Sequence, residues 1–399
     1  LQSSNITCVP RTDIFPSIPL ESNLSKESPR GGFIFVEKLK LFKTKLRGKC
    51  KVFLNKCSIG GKRALKRFLF GLPRLEASRN QLSWLGSLVN VFKPAVLRKK
   101  YKIDVLFCPF SAPTFAEPGL PLVAIAYDLQ HLDLPFFFSD IEQAHRSQFL
   151  ADLLRKASFV VCISEFTRQS FIAHLNADAK QLISVPICIH ERLTKPSSNF
   201  VSATLSRLGL DNNQYLFFPA NFWPHKNHRM LLAAYSIFRK KFPNLFLDLV
   251  FTGALEEPQR ELKELVFNLG YGDNVHFLGF LSQDELTTIW EGCRGLIFPS
   301  LYEGFGIPLL EAMWFDKPIA CSALGSLPEV GGDAVIYFDP RKPESIADAI
   351  ATLAQDDVLT VQLRARAQQR LQGFSQRFMT EQYLAVLRAA ASRTLLPVR

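Results

Sequence analysis

Two carboxylates stand eight positions apart around a glycine-rich turn in PSLYEGFGIPLLEAM, residues 299–313. An apolar, strand-like run ends just before Glu303, and Pro308 is typical of the first turn of a helix. Free N–H groups at such a helix start bind anions, and glycine lets a phosphate approach the backbone closely. We therefore expect Glu303, in the loop, and Glu311, one turn into the helix, to face opposite ends of one ligand. The alternative is an ordinary strand–helix joint that carries a surface glutamate.

A second polar cluster follows another apolar run, in FFPANFWPHKNH at residues 217–228. A fixed cation stabilises the charge that develops on a leaving phosphate, so Lys226 suits a diphosphate ligand. A solvated helix residue is the alternative, and in either case we expect Lys226 to face solvent and contribute little to thermal stability. His225 and His228 are spaced like metal ligands, but no cysteine and only distant acids accompany them. A zinc site is therefore not expected.

The composition excludes a disordered chain and predicts two to three domains. Of the 399 residues, 47% are hydrophobic and 21% charged, and a domain usually takes about 150 residues. No uninterrupted run of about 18 apolar residues is present, so no membrane-spanning helix is expected. The eight cysteines form no Cys-x-x-Cys pair. Scattered free cysteines favour a reducing compartment, and hence a cytoplasmic protein.

The net charge of +12 comes from one stretch, residues 38–74, which holds thirteen Lys or Arg and no acid. Phe35, Leu39, Phe42 and Leu46 are spaced as one apolar stripe of a helix beside this charge. Such a segment is a solvated face, a nucleic-acid patch or an anionic-membrane surface. The stripe favours the membrane surface slightly, and nucleic acid is not expected because no recognised binding module accompanies the charge.

Short apolar runs alternate with amphipathic, helix-length stretches along most of the chain. This alternation predicts parallel sheets covered by helices on both faces. Four strand-like runs lie between about 100 and 190, and residues 196–199 read as a hinge between two α/β lobes. The first hundred residues are harder to interpret, apart from a short strand at residues 51–54. The strands predicted for the second lobe are 215–220, 245–253, 274–280, 295–300, 318–323 and 334–338.

Residues 303–311 resemble the Glu-x7-Glu signature of the family 4 retaining glycosyltransferases, which have the GT-B fold. The resemblance extends in order over about residues 103–390. Four further segments match the family: 128–131 and 163–168 in the first lobe, and 218–228 and 326–334 in the second.

The resemblance implies two Rossmann-like lobes with parallel sheets and a cleft between them. Residues 1–195 would bind the acceptor, residues 196–375 the nucleotide sugar, and residues 376–399 would form a helix that crosses back to the first lobe. The implied reaction moves a sugar, with retention, from a nucleotide sugar to a saccharide or lipid-linked acceptor in cell-surface polysaccharide synthesis, such as that of lipopolysaccharide. It needs no cofactor or metal, and the enzyme would be cytoplasmic or peripheral on the inner membrane face. The alternatives are a nucleotide-sugar epimerase of the same fold and a non-catalytic sugar-nucleotide binding protein.

The resemblance also implies roles for single side chains. Lys226 would hold the donor diphosphate, Glu311 the ribose hydroxyls and Glu303 the transferring sugar. Many relatives have an Arg about six residues before the Lys, where this chain has Ala220 and Asn221, so Asn221 is expected to help bind phosphate. Many also have His-Asp where this chain has Tyr127-Asp128. His131 either contacts the sugar or acceptor or is a packed, hydrogen-bonded histidine. The predicted catalytic residues are Glu303, Lys226, His131 and Asp128, and the predicted donor-binding residues are Asn221, Lys226, Gly304, Phe305, Gly306, Ile307 and Glu311.

Overall fold

The computed structural model describes residues 96–111, 113–254 and 256–392 of the chain. Within them, apolar strands alternate with helices and all the strand pairings are parallel, as the sequence predicts. The predicted helical stripe at 35–46, the strand at 51–54 and the basic segment 38–74 lie outside the described residues.

The first part of the described chain forms a four-stranded parallel sheet. Its elements are α1 Val96–Tyr101, β1 Leu106–Cys108, β2 Leu122–Ala126, α2 Gln130–Asp133, α3 Asp140–Lys156, β3 Phe159–Cys162, α4 Glu165–Leu175 and β4 Leu182–Ser184. The strands lie side by side in chain order. All residues of β2 and β3 are buried, which is why these strands read as unbroken apolar runs.

The second part forms a six-stranded parallel sheet, and its strands fall inside the six predicted runs. Its elements are α5 Ser198–Leu208, β5 Tyr215–Pro219, α6 His228–Lys241, β6 Asp248–Thr252, α7 Glu256–Asn268, β7 Val275–Phe277, α8 Gln283–Gly292, β8 Gly295–Phe298, α9 Ile307–Trp314, β9 Ile319–Ser322, α10 Leu327–Gly331, β10 Ile336–Phe338, α11 Pro343–Gln355 and α12 Asp357–Leu371.

The strand order of this sheet, β10–β9–β8–β5–β6–β7, reverses direction at β5. The chain runs from β5 outwards through β6 and β7, and then returns to place β8 on the other side of β5. Loops at the carboxyl ends of β5 and β8 therefore leave in opposite directions and open a crevice, the usual ligand position in open α/β sheets. The two predicted site loops follow these two neighbouring strands.

The hinge predicted at residues 196–199 lies at the end of the connection between the two sheets, and it stays a prediction. Helix α5 begins at Ser198, with Ser197 as its N-cap residue. Serine is a preferred residue at helix starts, which fits the beginning of a helix within this Ser-rich segment.

A last helix, α13 Gln376–Ser392, follows the second sheet in the chain but packs on the first. Val386, Ala389 and Ala390 are buried with Val123 and Val161 in one apolar cluster. The lobe boundaries at residues 195 and 375 stay predictions. Within the described residues, each helix is too short or too polar to cross a bilayer.

Candidate active site

Lys226 ends a short 3₁₀ turn that begins at Pro224, between β5 and α6. Asn227 follows with a φ of 66°, a left-handed conformation that asparagine tolerates better than most residues. Its side-chain amide donates to the carbonyl oxygens of Pro299 and Pro340, at 3.1 and 2.9 Å. Because Pro299 directly follows β8, these bonds fix the loop after β5 against the loop after β8.

The glycine-rich turn after β8 packs too closely for other residues. Gly306 has a φ of 92°, and a Cβ there would lie 2.5 Å from the Leu327 side chain. A Cβ on Gly304 would lie 2.1 Å from the carbonyl oxygen of Tyr127, which follows β2. Gly304 therefore allows the loops of the two sheets to touch.

Lys226 and Glu303 meet in an ion pair between these loops. The Lys226 Nζ lies 2.6 Å from the Glu303 Oε1, and the side chains are only 17% and 12% exposed. The Lys226 ammonium also lies 5.5 Å from the centre of the Phe298 ring. The prediction that Lys226 faces solvent is therefore wrong, because a carboxylate and an aromatic ring cover it.

Glu311 pairs with a cation that sequence analysis did not single out. Its side chain is buried, and Arg192 Nη2 donates to Glu311 Oε1 at 2.6 Å. Burial raises the pKa of Glu311 above its usual value, and the Arg192 charge opposes this rise. Arg192 stands 119 positions away in the chain, and its only signal in the sequence is a charge close behind the apolar run of β4.

A cavity of about 380 Å³ opens between the loops of the two sheets, a size suited to small-molecule ligands. Asp128, Asn221, Lys226, Glu303 and Gly304 line it, so the structure brings these five predicted residues together. The Asn221 side-chain oxygen also accepts a hydrogen bond from the backbone N–H of residue 254, at 3.1 Å.

The other predicted residues lie outside the lining of this cavity. His131 is 2% exposed, and its Nε2 lies 3.3 Å from the Ser147 hydroxyl. The ring is therefore packed and hydrogen-bonded, and burial lowers its pKa; its contact with a sugar or acceptor stays a prediction. Phe305 is also buried, with its ring edge-on to Phe374. The predicted residues outside the lining are His131, Phe305, Gly306, Ile307 and Glu311.

Residues that the sequence analysis did not assign a role also line the cavity, among them Gln130, Trp223 and Tyr302. Gln130 and Trp223 belong to motif segments that the sequence analysis had recognised, directly beside predicted site residues. Adjacency to those residues is the signal that could have identified them.

Hydrogen bonds also join the recognised motif segments of the two sheets. The Ser164 hydroxyl donates to the Gly304 carbonyl oxygen at 2.6 Å. The Glu329 carboxylate accepts from the backbone N–H groups of Glu165 and Phe166, both at 2.8 Å. A carboxylate at the start of α4 is favoured by the helix dipole. These contacts hold the glycine-rich turn against the first sheet.

Two neighbouring histidines are held neutral beside the ion pair. Burial, followed by the charges of Lys226 and Arg146, lowers the pKa of His225 to about 3. Burial likewise lowers the pKa of His228 to about 3, and its ring packs 4.6 Å from that of Phe218. Among the described residues, no three His, Cys, Asp or Glu side chains are grouped as a metal site. That the reaction needs no metal stays a prediction.

Residues 206–370 match the profile of the family described as "Glycosyl transferases group 1". We call these residues the group 1 segment. The group 1 segment includes both partners of the Lys226–Glu303 ion pair, Glu311 and the whole strand reversal around β5. Assignment to family 4 in particular stays a prediction.

Curated relatives extend the similarity beyond the group 1 segment. The chain is 27% identical over 239 residues to "O-antigen chain mannosyltransferase B" of Escherichia coli, covering 59% of this chain and 61% of that protein. It is 25% identical over 223 residues to "O-antigen chain mannosyltransferase RfbU" of Salmonella typhimurium, covering 55% and 58%. The chain therefore matches less than two thirds of the length of each relative.

Solved structures share the architecture. Anabaena HepE, crystallised with UDP and glucose, superposes with a TM-score of 0.63 at 21% identity, covering 79% of this chain and 84% of that one. WaaG, a glycosyltransferase involved in lipopolysaccharide biosynthesis, gives a TM-score of 0.59 at 15% identity, with coverages of 79% and 84%. The predicted α/β GT-B fold is confirmed.

Proposed function

We propose that the protein is a glycosyltransferase that moves a sugar from a nucleotide sugar to a saccharide or lipid-linked acceptor. The observation that carries the proposal is the Lys226–Glu303 ion pair, which lines a cavity at the strand reversal of the group 1 segment. Nucleotide ligands bind at such reversals in open parallel sheets. The pair supplies a cation for a diphosphate and a carboxylate for sugar hydroxyls at one point.

In the proposed reaction, the bond from the anomeric carbon to the leaving phosphate oxygen breaks while that carbon bonds to the acceptor oxygen. The acceptor proton passes to the leaving phosphate on the same face, which gives retention. Lys226 stabilises the charge that develops on the diphosphate. Backbone N–H groups of the glycine turn before α9 would bind the same anion, and Glu303 orients the transferring sugar.

Glu311 would bind the ribose at the other end of the donor. Its carboxylate can accept hydrogen bonds from the ribose hydroxyls only while it is ionised. Burial disfavours that state, and the Arg192 charge opposes this effect. In this proposal, Arg192 is a positioning residue that keeps the charge and direction of Glu311 ready for the nucleoside.

The named relatives favour a place in cell-surface polysaccharide synthesis. Two of them are O-antigen chain mannosyltransferases, so a mannose nucleotide is the first donor to test. Asp128, which comes from the first sheet, would face the acceptor. A lipid-linked acceptor would place the enzyme at the cytoplasmic membrane face, where the basic segment 38–74 could attach it.

The experiment incubates the purified protein with GDP-mannose, UDP-glucose, UDP-galactose or UDP-N-acetylglucosamine, with and without a cell-envelope extract as acceptor. We expect acceptor-dependent nucleotide release from one donor, and an α-linked product by NMR from that α-linked donor. An isomerised sugar without acceptor would identify an epimerase. Donor binding by calorimetry without any release or isomerisation would identify a non-catalytic binding protein. Either result would overturn the proposal.

A further inference from the structure

We infer that Trp223 and Gln130 form the subsite for a neutral pyranose ring of the acceptor. Trp223 follows β5 in the second sheet, and Gln130 begins α2 after β2 in the first. Both line the cavity that contains the Lys226–Glu303 pair. The inference rests on the proposed function and assigns side chains to the acceptor end of the same site.

Trp223 presents a large apolar surface on the cavity wall. Trp223 is 51% exposed, whereas tryptophan residues are highly buried on average. The backbone around it is fixed, because its N–H donates to the Asn221 carbonyl at 2.9 Å and its carbonyl accepts from the Lys226 N–H at 2.9 Å. One face of a pyranose consists of C–H groups, and this face packs well on a rigid aromatic ring.

Gln130 supplies a hydrogen-bond donor that the folded chain leaves unused. The residue is 8% exposed, and its side-chain Nε2 has no hydrogen-bond partner among the described residues. A buried donor that stays unpaired has a cost in stability. The amide nitrogen is itself buried, so a rotation of the Gln130 side chain toward the cavity would let a sugar hydroxyl accept from it and remove this cost.

The position of Trp223 favours a sugar over a nucleobase. It shares the cavity with Lys226 and Glu303, whereas Glu311, the proposed ribose ligand, lies outside the lining. Because the diphosphate separates sugar from nucleoside in the donor, the wall that carries Trp223 belongs to the sugar end. Gln130 comes from the first sheet, opposite the group 1 segment, so the ring between them is that of the acceptor.

The charges around the subsite favour a neutral ring. Lys226 and Glu303 together add no net charge to the cavity wall, and Asp128 adds a carboxylate. His225, which also lines the cavity, is a neutral imidazole with one donor and one acceptor nitrogen. An uncharged hydroxyl can use both kinds of group, whereas an anionic ring would be disfavoured by the Asp128 carboxylate.

Binding is tested by ¹⁹F NMR on protein in which the four tryptophans carry 5-fluorotryptophan. Trp223→Phe assigns the resonance of Trp223, and methyl α-mannopyranoside, GDP and UDP are titrated separately. We expect the chemical shift of the Trp223 resonance to change as the glycoside is added. In Gln130→Leu, the glycoside concentration at the midpoint of this titration should rise at least about tenfold. A Trp223 resonance that moves with GDP or UDP but not with the glycoside would overturn the inference.

Kinetics give the second test, with the donor found active and the envelope acceptor. We expect Trp223→Ala and Gln130→Leu to raise the acceptor KM at least about tenfold, while the donor KM stays within about twofold. The matched control is Phe280→Ala, which removes an aromatic ring that is 87% exposed elsewhere on the second sheet. Unchanged acceptor KM values in an active enzyme would refute the subsite and leave the proposed function standing.

Stability separates this role from a packing role. Gln130→Leu removes an unpaired buried donor, so we expect the melting temperature to stay the same or rise. A clear fall in melting temperature, together with unchanged glycoside binding, would show that Gln130 is structural. If no donor is turned over, the proposed function fails, and the fluorine titration still decides the subsite.

Discussion

Replacing Lys226 with methionine keeps most of the side-chain length and removes the charge, which isolates the contribution of the ion pair. The variant leaves the Glu303 carboxylate, which is 12% exposed, without its cation. Breaking a fully buried pair costs about 3–5 kcal/mol, whereas an exposed pair contributes about 0–1 kcal/mol. With both side chains mostly buried, we expect a loss of about 2 kcal/mol, which lowers the melting temperature by about 4–8 °C.

The control is Lys241→Met, because Lys241 pairs with Asp348 while both side chains are more than half exposed, at 54% and 58%. That substitution should change the free energy of unfolding by less than about 1 kcal/mol. The double variant Lys226→Met/Glu303→Gln removes the stranded carboxylate and should recover much of the lost stability. Calorimetric melting of the parent protein, Lys226→Met, Glu303→Gln and the double variant gives the coupling, which we expect at about 1–2 kcal/mol.

Turnover distinguishes the role at the phosphate from the role in folding. If Lys226 stabilises the leaving diphosphate, Lys226→Met should reduce turnover at least about a hundredfold at a temperature where it stays folded. An unchanged melting temperature would refute the ion-pair argument. Turnover within about threefold of the parent protein would refute the role at the phosphate.

The remaining predictions concern the nucleoside end, the glycine turn, metal and membrane. Glu311→Gln should weaken donor binding by about 1.5–3 kcal/mol in calorimetry, and unchanged affinity in a folded protein would contradict the ribose assignment. Because burial raises the pKa of Glu311 and Arg192 opposes this, donor affinity should be lost as the pH falls through that raised pKa. Arg192→Met should move this loss to higher pH, and an unmoved profile would count against the pair. Gly304→Ala should lower both the melting temperature and turnover, because its Cβ would lie 2.1 Å from a backbone oxygen of the first sheet; Gly272→Ala, with nothing within 4 Å of its Cβ, is the control. EDTA should leave turnover unchanged, and a loss restored by Mg²⁺ or Mn²⁺ would show that a metal is needed. Liposome co-sedimentation should show binding to anionic rather than neutral lipid through residues 38–74. This binding should weaken with salt, because the electrostatic screening length shortens to about 3 Å at 1 M. Equal binding to both lipids would indicate a solvated basic face.

Local sequence predicted most elements because each buried parallel strand is a short apolar run and the helix starts carry their own signals. Helix α8 begins where Ser282 and Glu285 form a capping box, a signal that depends only on neighbouring residues. The serines at 197 and 198 suit a loop and a helix start equally well, so the sequence alone did not place the start of helix α5 at Ser198.

Exposure and pairing were much less predictable than the elements. Lys226 was expected in solvent, yet its partner Glu303 stands 77 positions away. Arg192 had no recognisable motif, and its pairing with Glu311 depends on where the segment after β4 passes α9. Whether an amide such as that of Gln130 finds a partner depends on every neighbour in the fold, so no local pattern indicates it.

Local sequence patterns predict the two-sheet architecture and the positions of the loops that hold the carboxylates, the lysine and the glycines. Periodicity and turn chemistry are local, so they can be recognised without knowing the fold. The tertiary structure alone decided which of these groups meet. The strand reversal at β5 brings the Lys226 loop beside the Glu303 loop, and the absence of a Cβ at Gly304 lets the first sheet close against them. Burial, charge pairing and the unused donor of Gln130 follow from those contacts, because each depends on residues that are distant in the chain.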